Sequence, residues 1–156
     1  MFGVKKLKLY LETTVFNYYF DAEREYHDDV ARLFEAILTE EYEAYTSEYV
    51  AIELRNAPEP KRSEMLALID KYSIGVFDFD AESTRLANIY VQEGVIPERF
   101  RFDAAHIAIA TIHGLDCVVS FNFQHINKLK TKNMTAFINF HEGYKPITIC
   151  TPMEVF

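Results

Sequence analysis

The run Lys8-Leu9-Tyr10-Leu11-Glu12-Thr13-Thr14 decides how this chain is read. A short apolar and aromatic segment that ends on a carboxylate reads as a buried strand, then a turn, then a helix. Outward from it, Val30, Ala31, Leu33, Phe34, Ile37 and Leu38 recur at helical spacing and predict a helix over 27–40. Residues 44–46 predict a strand, with Ser47 a candidate N-cap for a helix over 48–56. Pro58 and Pro60 close that helix and open another over 61–72. A strand over 74–77 and an Asp80-capped helix over 81–93, ending at Gly94, come next. After a loop over 95–102, Asp103 opens an apolar helix to 112, which His113-Gly114 stops. A strand over 117–120 leads into Phe121-Asn122-Phe123, then a less regular stretch, then a last strand over 147–150. Strands separated by helices imply parallel crossovers. The expectation is an α/β fold, a three-layer α/β/α sandwich on a mainly parallel sheet, built as a single domain over 1–156.

Composition supports a packed globule: of 156 residues 49% are hydrophobic and 26% charged, with only 5 Gly and 5 Pro, which excludes disordered and collagen-like chains. No run approaches the ~18–20 apolar residues that cross a bilayer, so no membrane partner is expected. The first eight residues carry Lys5, Lys6 and Lys8 and no apolar leader core, which predicts a cytoplasmic protein. Cys117 and Cys150 lie in apolar runs and read as reduced core thiols. The net charge is -8, and residues 1–96 hold 19 acidic against 10 basic side chains. A duplex-coating protein needs the opposite balance, because counterion release supplies most of its affinity. An acidic surplus leaves a solvated surface, a basic partner, or carboxylates gathered around cations.

In an open parallel sheet, ligands bind outside the carboxyl ends of the strands. The predicted elements bring four polar residues to that edge: Glu12 after the first strand, Glu53 about two turns into the helix after the second, Asp103 at the start of the helix feeding the fourth, and Asn122 just past the fourth. Singly, Asp103 reads as an N-cap, Glu53 as a solvated helix carboxylate and Asn122 as a turn residue. Glu12 is harder to dismiss, since burying a carboxylate behind a strand is costly. Like charges within ~4–6 Å raise one another's pKa, and a hard divalent cation, Mg²⁺ or Mn²⁺, relieves them. The chemistry such a site supports is phosphodiester hydrolysis, with one ion, or two ~3.5–4 Å apart. Arg99 with Arg101, and Lys128 with Lys130 and Lys132, are the candidate phosphate contacts.

Four segments, LYLETTVFNYYF at 9–20, YTSEYVAIEL at 45–54, RFDAAHIAIAT at 101–111 and VVSFNFQHI at 118–126, resemble in order those of a PIN domain, the RNase H-related nuclease fold of VapC-type toxins. In the terms of that resemblance, Glu12, Glu53, Asp103 and Asn122 match the four site positions, and Ser120 matches a hydroxyl residue that helps order the site and belongs with the substrate-facing group. The resemblance implies Mg²⁺- or Mn²⁺-dependent cleavage of RNA, an endoribonuclease, an antitoxin protein as partner and a homodimer. It departs at one place: the first position is usually Asp, and the extra methylene of Glu12 moves the carboxylate, where ~1 Å of misplacement can cost 10²-fold in rate. That departure motivates an alternative, a catalytically weakened module on the same fold that binds RNA or a protein.

His106 lies three residues after Asp103, and the expectation is a packed, hydrogen-bonded histidine with no second ligand pair to complete a metal site. His125 is likewise expected to be structural. The run Phe16, Tyr18, Tyr19, Phe20 is expected in the core or an interface rather than stacked on bases. A phosphoacceptor receiver, with Asp78 as acceptor, ranks below both other readings, because two helices separate the second and third strands and no Lys follows the last.

Overall fold

The computed structural model describes residues 5–156; the expectation about residues 1–4 of the N-terminus lies outside them. Five strands form one sheet: β1 (Lys8–Leu11), β2 (Glu43–Ser47), β3 (Gly75–Phe77), β4 (Cys117–Val119) and β5 (Thr148–Cys150). All pairings are parallel, in the order β3-β2-β1-β4-β5. The sheet is therefore wholly rather than mainly parallel. Helices flank it: α1 (Thr13–Tyr19), α2 (His27–Leu38), α3 (Glu48–Arg55), α4 (Lys61–Lys71), α5 (Ala81–Gln92), α6 (Arg101–Ile112), α7 (Leu129–His141) and α8 (Pro152–Val155).

β1 is central, and Leu9, Tyr10 and Leu11 are fully buried, as a strand covered on both faces requires. α6 is apolar all round and buried from Ala104 to Thr111, the signature of a helix inside the core. The chain runs outward from β1 to β2 and β3, then returns to place β4 on the other side of β1. That reversal opens a crevice at the carboxyl ends of β1 and β4. Glu12 leaves one and Ser120 the other.

Three expectations are corrected. Asp103 does not open α6: a 3-10 turn at Glu98–Phe100 runs straight into Arg101, so Asp103 lies within the first turn, where a carboxylate complements the helix dipole. Ser47 holds the N-cap position of α3 without a side-chain cap bond, because its hydroxyl bonds Tyr10 instead. The less regular stretch contains the thirteen-residue α7, whose pattern is inverted: Thr131, Thr135 and Asn139 face inward, while Leu129, Phe137 and Phe140 are exposed. Asp80 does cap α5, accepting from Ser83 N at 2.6 Å, and Gly94 follows at φ +79°. Cys117 and Cys150 are both free. No helix among the described residues is long and apolar enough to cross a membrane.

Candidate active site

Glu12 stands between β1 and α1, and its backbone N–H still donates to Val119 O of β4 at 3.1 Å. It occupies the N-cap position of α1, yet its side chain does not cap. Instead Oε1 accepts two hydroxyl bonds, from Thr14 and from Ser120, each at 2.6 Å. Thr14 Oγ1 in turn accepts from Phe121 N, and Ser120 Oγ from Asn122 N. The carboxylate is thus pinned across the β1–β4 switch point by both strand ends. Burial pushes its pKa up, against the pull of His106, Ser120 and Thr14.

Glu53 projects from α3, and its Oε1 meets His106 Nε2 at 2.6 Å. His106, fully buried on α6, bonds Tyr10 Oη through Nδ1 at 2.7 Å, and Tyr10 bonds Ser47 Oγ at 2.7 Å. Burial opposes a charge on the imidazole, but the hydrogen bond and charge of Glu53, with Glu12 and Asp103, outweigh it and raise the pKa. When protonated, the ring donates from both nitrogens, to Glu53 and to Tyr10. Asp103, one helical turn before His106, is raised chiefly by burial and further by Glu53, while His106, His125 and a side-chain bond from Asn122 pull it down.

The ligand atoms of Glu12, Glu53 and His106 all lie within 4.8 Å of one another. The expected packed, hydrogen-bonded His106 is present, but the expectation that nothing completes a cluster around it is overturned. Its donors do not make it a free ligand, however, because both ring nitrogens are committed to protein partners. The carboxylates differ: Oε2 of Glu12 and Oε2 of Glu53 take no hydrogen bond from the described residues. Each acid therefore spends one oxygen on its position and leaves the other without a protein partner among the described residues. An all-oxygen set of this kind fits a hard divalent cation.

The remaining candidates have partners of their own. Asn122 Oδ1 accepts from His125 N at 3.0 Å and ties its own loop. His125 packs its ring on Phe100 at 4.0 Å and leaves Nε2 buried without a partner. Ser120 is fully buried, with its hydroxyl given to Glu12 and Asn122. Arg101 is spent on both oxygens of Glu98 and on Asn88. Arg99 is exposed and lies over the Phe100 ring. Asp78 follows the edge strand β3 and bonds Phe79 N, a place outside the central crevice that a receiver acceptor needs.

Aromatic rings border the cluster. Tyr49 stands edge-on to His106 at 6.3 Å and packs on Phe79 and Phe102 at 4.8 and 5.1 Å. On the β4 side, Tyr18 and Tyr26 lie near-parallel to Phe121 at 3.9 and 6.2 Å. Of the aromatic run, Phe16 is core, while Tyr18 reaches this border.

A model of the PIN domain matches residues 9–130 of the chain. Among solved structures, the fold is similar to VapC20 of Mycobacterium tuberculosis, a toxin that cleaves the sarcin-ricin loop, with a TM-score of 0.59 at 16% identity over 75% of this chain and 92% of that one. It is also similar to VapBC2 of Rickettsia felis, solved on a DNA fragment from its promoter, with a TM-score of 0.53 at 17% identity over 78% and 94% of the two chains. No curated protein matches the sequence.

Proposed function

The chain belongs to the PIN domain family, and on that premise we propose that it is a Mg²⁺- or Mn²⁺-dependent endoribonuclease, the toxin of a toxin–antitoxin pair. The observation that carries the proposal is the pinned carboxylate pair, Glu12 and Glu53, each with one oxygen held by the protein and the other without a hydrogen-bond partner among the described residues. Glu12, Glu53 and Asp103 would hold the cation. When bound, such an ion supplies an acidified water and neutralises charge at a phosphodiester.

The protein's own part is positioning. Ser120 and Thr14 set the Glu12 carboxylate, so Ser120 acts through Glu12 rather than on substrate. The Ser47–Tyr10–His106 chain sets Glu53 and balances the acids until a cation arrives. Asn122 orders the loop that closes the crevice. Because Asn122 carries no charge and His106 offsets one carboxylate, the donor set suits one ion better than two. Arg99 is the phosphate contact that remains open, since Arg101 is engaged. The proposed protein partners are an antitoxin and a second copy of the chain. For the second copy the proposed face is α7: Phe137 and Phe140 are 66% and 81% exposed beside a groove of about 580 Å³ lined by Ile89, Met134 and Ile138.

Incubation of the purified chain with RNA and Mn²⁺ is expected to yield cleavage that Asp103→Asn abolishes while the fold persists. Cleavage that survives Asp103→Asn overturns this site. A calorimetric titration without Mg²⁺ or Mn²⁺ binding favours the non-catalytic module instead.

A further inference from the structure

Cys117 and Cys150 are the only cysteines of the chain, and the sheet brings them together. β4 and β5 pair in parallel, with Cys117 opposite Thr148 and Val119 opposite Cys150. Side chains alternate between the faces of a strand, so Cys117, two residues before Val119, shares a face with Cys150 and stands diagonally across from it. The two thiols are hydrogen-bonded, and they are not equivalent. Cys117 is half-buried, whereas Cys150 is 4% exposed. The bond from Cys150 holds the Cys117 thiol below the usual range, against burial and Asp116 and with the help of Lys145. The same bond, with burial, pushes Cys150 up. The pair also reaches the carboxylate cluster: Cys150 O accepts from Ser120 N at 2.9 Å, and Ser120 Oγ donates to Glu12 Oε1 at 2.6 Å.

We propose that Cys117 is a site of oxidation by hydrogen peroxide, that Cys150 resolves it as a disulfide, and that this bridge loosens the Ser120 clamp on Glu12. The Cys117 thiolate attacks one peroxide oxygen and the O–O bond breaks. The sulfur is oxidised to a sulfenic acid, and the other oxygen leaves as hydroxide, which takes up a proton to become water. The Cys150 sulfur then attacks the Cys117 sulfur. The S–S bond forms, the S–O bond breaks, and the hydroxyl leaves with the Cys150 proton as a second water. Closing the bridge moves backbone. Strands lie ~4.8 Å apart and rise ~3.3 Å per residue, which sets diagonal Cα atoms ~8 Å apart, while a disulfide spans ~4.4–6.8 Å. β5 is an edge strand, paired on one side only, so it yields by ~1–2 Å and takes the Cys150 carbonyl with it. A bridge closed under strain is readily reduced, which makes the change reversible by thiol. The oxidation stands on the thiol pair alone; its effect on cleavage rests on the nuclease reading of Glu12.

The experiment uses the full chain, reduced and then treated with hydrogen peroxide. Peptide mapping without reductant is expected to link the segments that carry Cys117 and Cys150, with the loss of two hydrogens, about 2 Da. Cys150→Ser is expected to leave Cys117 as a sulfenic acid that dimedone traps, and Cys117→Ser to react about tenfold more slowly. Hydrogen–deuterium exchange in the oxidised wild type is expected to speed up at the Ser120 amide, whose acceptor has moved. Cleavage of RNA with Mn²⁺ is expected to fall by about 10²-fold and to return with dithiothreitol, while Cys117→Ala/Cys150→Ala ignores peroxide. No cross-link in the wild type overturns the proposal, and so does equal reactivity of the two thiols in the single variants. A cross-link that leaves Ser120 exchange unchanged overturns the coupling to Glu12. A chain that bridges and loosens Ser120 but never cleaves, reduced or oxidised, sinks the nuclease reading and leaves the thiol pair standing.

Discussion

Replacing His106 with glutamine removes the one cation from a cluster of acids while keeping a side chain able to bond both neighbours. The imidazole is fully buried, and Glu53 retains 31% of its side-chain exposure, so the Coulomb energy of a fully buried pair does not apply. A hydrogen bond to a charged group is worth about 1.5–3 kcal/mol, which in a chain of this size is a loss of about 3–12 °C in Tm. The sign with pH follows from the raised pKa of His106. The stabilisation is fully present below the ordinary ~6.5 and is lost as pH rises through the folded value. The deficit of the variant is therefore largest near pH 6 and shrinks as pH rises through the folded value. Divalent binding moves the other way. One charge facing a double charge across the 4.8 Å scale of this cluster, at an effective dielectric of ~20, amounts to about 7 kcal/mol. A quarter of that, after screening, tightens the cation more than tenfold. Thermal melts at pH 6 and 9, with EDTA and with millimolar Mg²⁺, read both effects. Loss of cation binding in His106→Gln would refute the reasoning, because it would make His106 a ligand.

Three further outcomes follow from single contacts. Ser120→Ala frees Glu12 Oε1 from one of its two clamps and is expected to lower kcat by about 10²-fold with KM nearly unchanged, whereas a substrate contact would raise KM. Asp80→Ala removes the α5 cap bonds to Ser83 N and Oγ and is expected to cost about 0.5–2 kcal/mol in urea unfolding with cleavage intact. Phe137→Glu with Phe140→Glu charges the exposed face of α7 and is expected to turn a dimer into a monomer in sedimentation velocity; a wild type that is already monomeric sinks the α7 pairing.

Most of the sheet was legible because each strand has a local signature. Leu9-Tyr10-Leu11 is apolar on both faces, and Asp80 and Gly94 punctuate α5 as caps do. The elements that escaped lack that agreement between pattern and place. α7 buries threonines and an asparagine and exposes phenylalanines, so its periodicity points away from the core, which is how a helix reads when its outer face is meant for something else. Asp103 looked like a cap because the apolar run begins just after it. The 3-10 turn before it satisfies the first helical donors through backbone geometry, which no residue type announces.

At the cluster, Glu12 and Glu53 were legible from the strand-end rule, while the histidine between them was not. His106 sits in an apolar helix, where a packed imidazole and an imidazolium look identical in sequence; Glu53, 53 residues away, decides between them by its placement on α3. The length of Glu12 is resolved the same way. A glutamate where related sites have aspartate reads as a defect only if the carboxylate is free to drift, and here both strand ends hold it. The β1–β4 register puts Leu11 opposite Val119, so Ser120 arrives beside Glu12 with its hydroxyl at 2.6 Å, and Thr14, one residue into the first turn of α1, closes on the same oxygen. The extra methylene is held by a clamp that the chain builds from the residues on either side of the crevice, so the longer side chain has a fixed carboxylate rather than a drifting one.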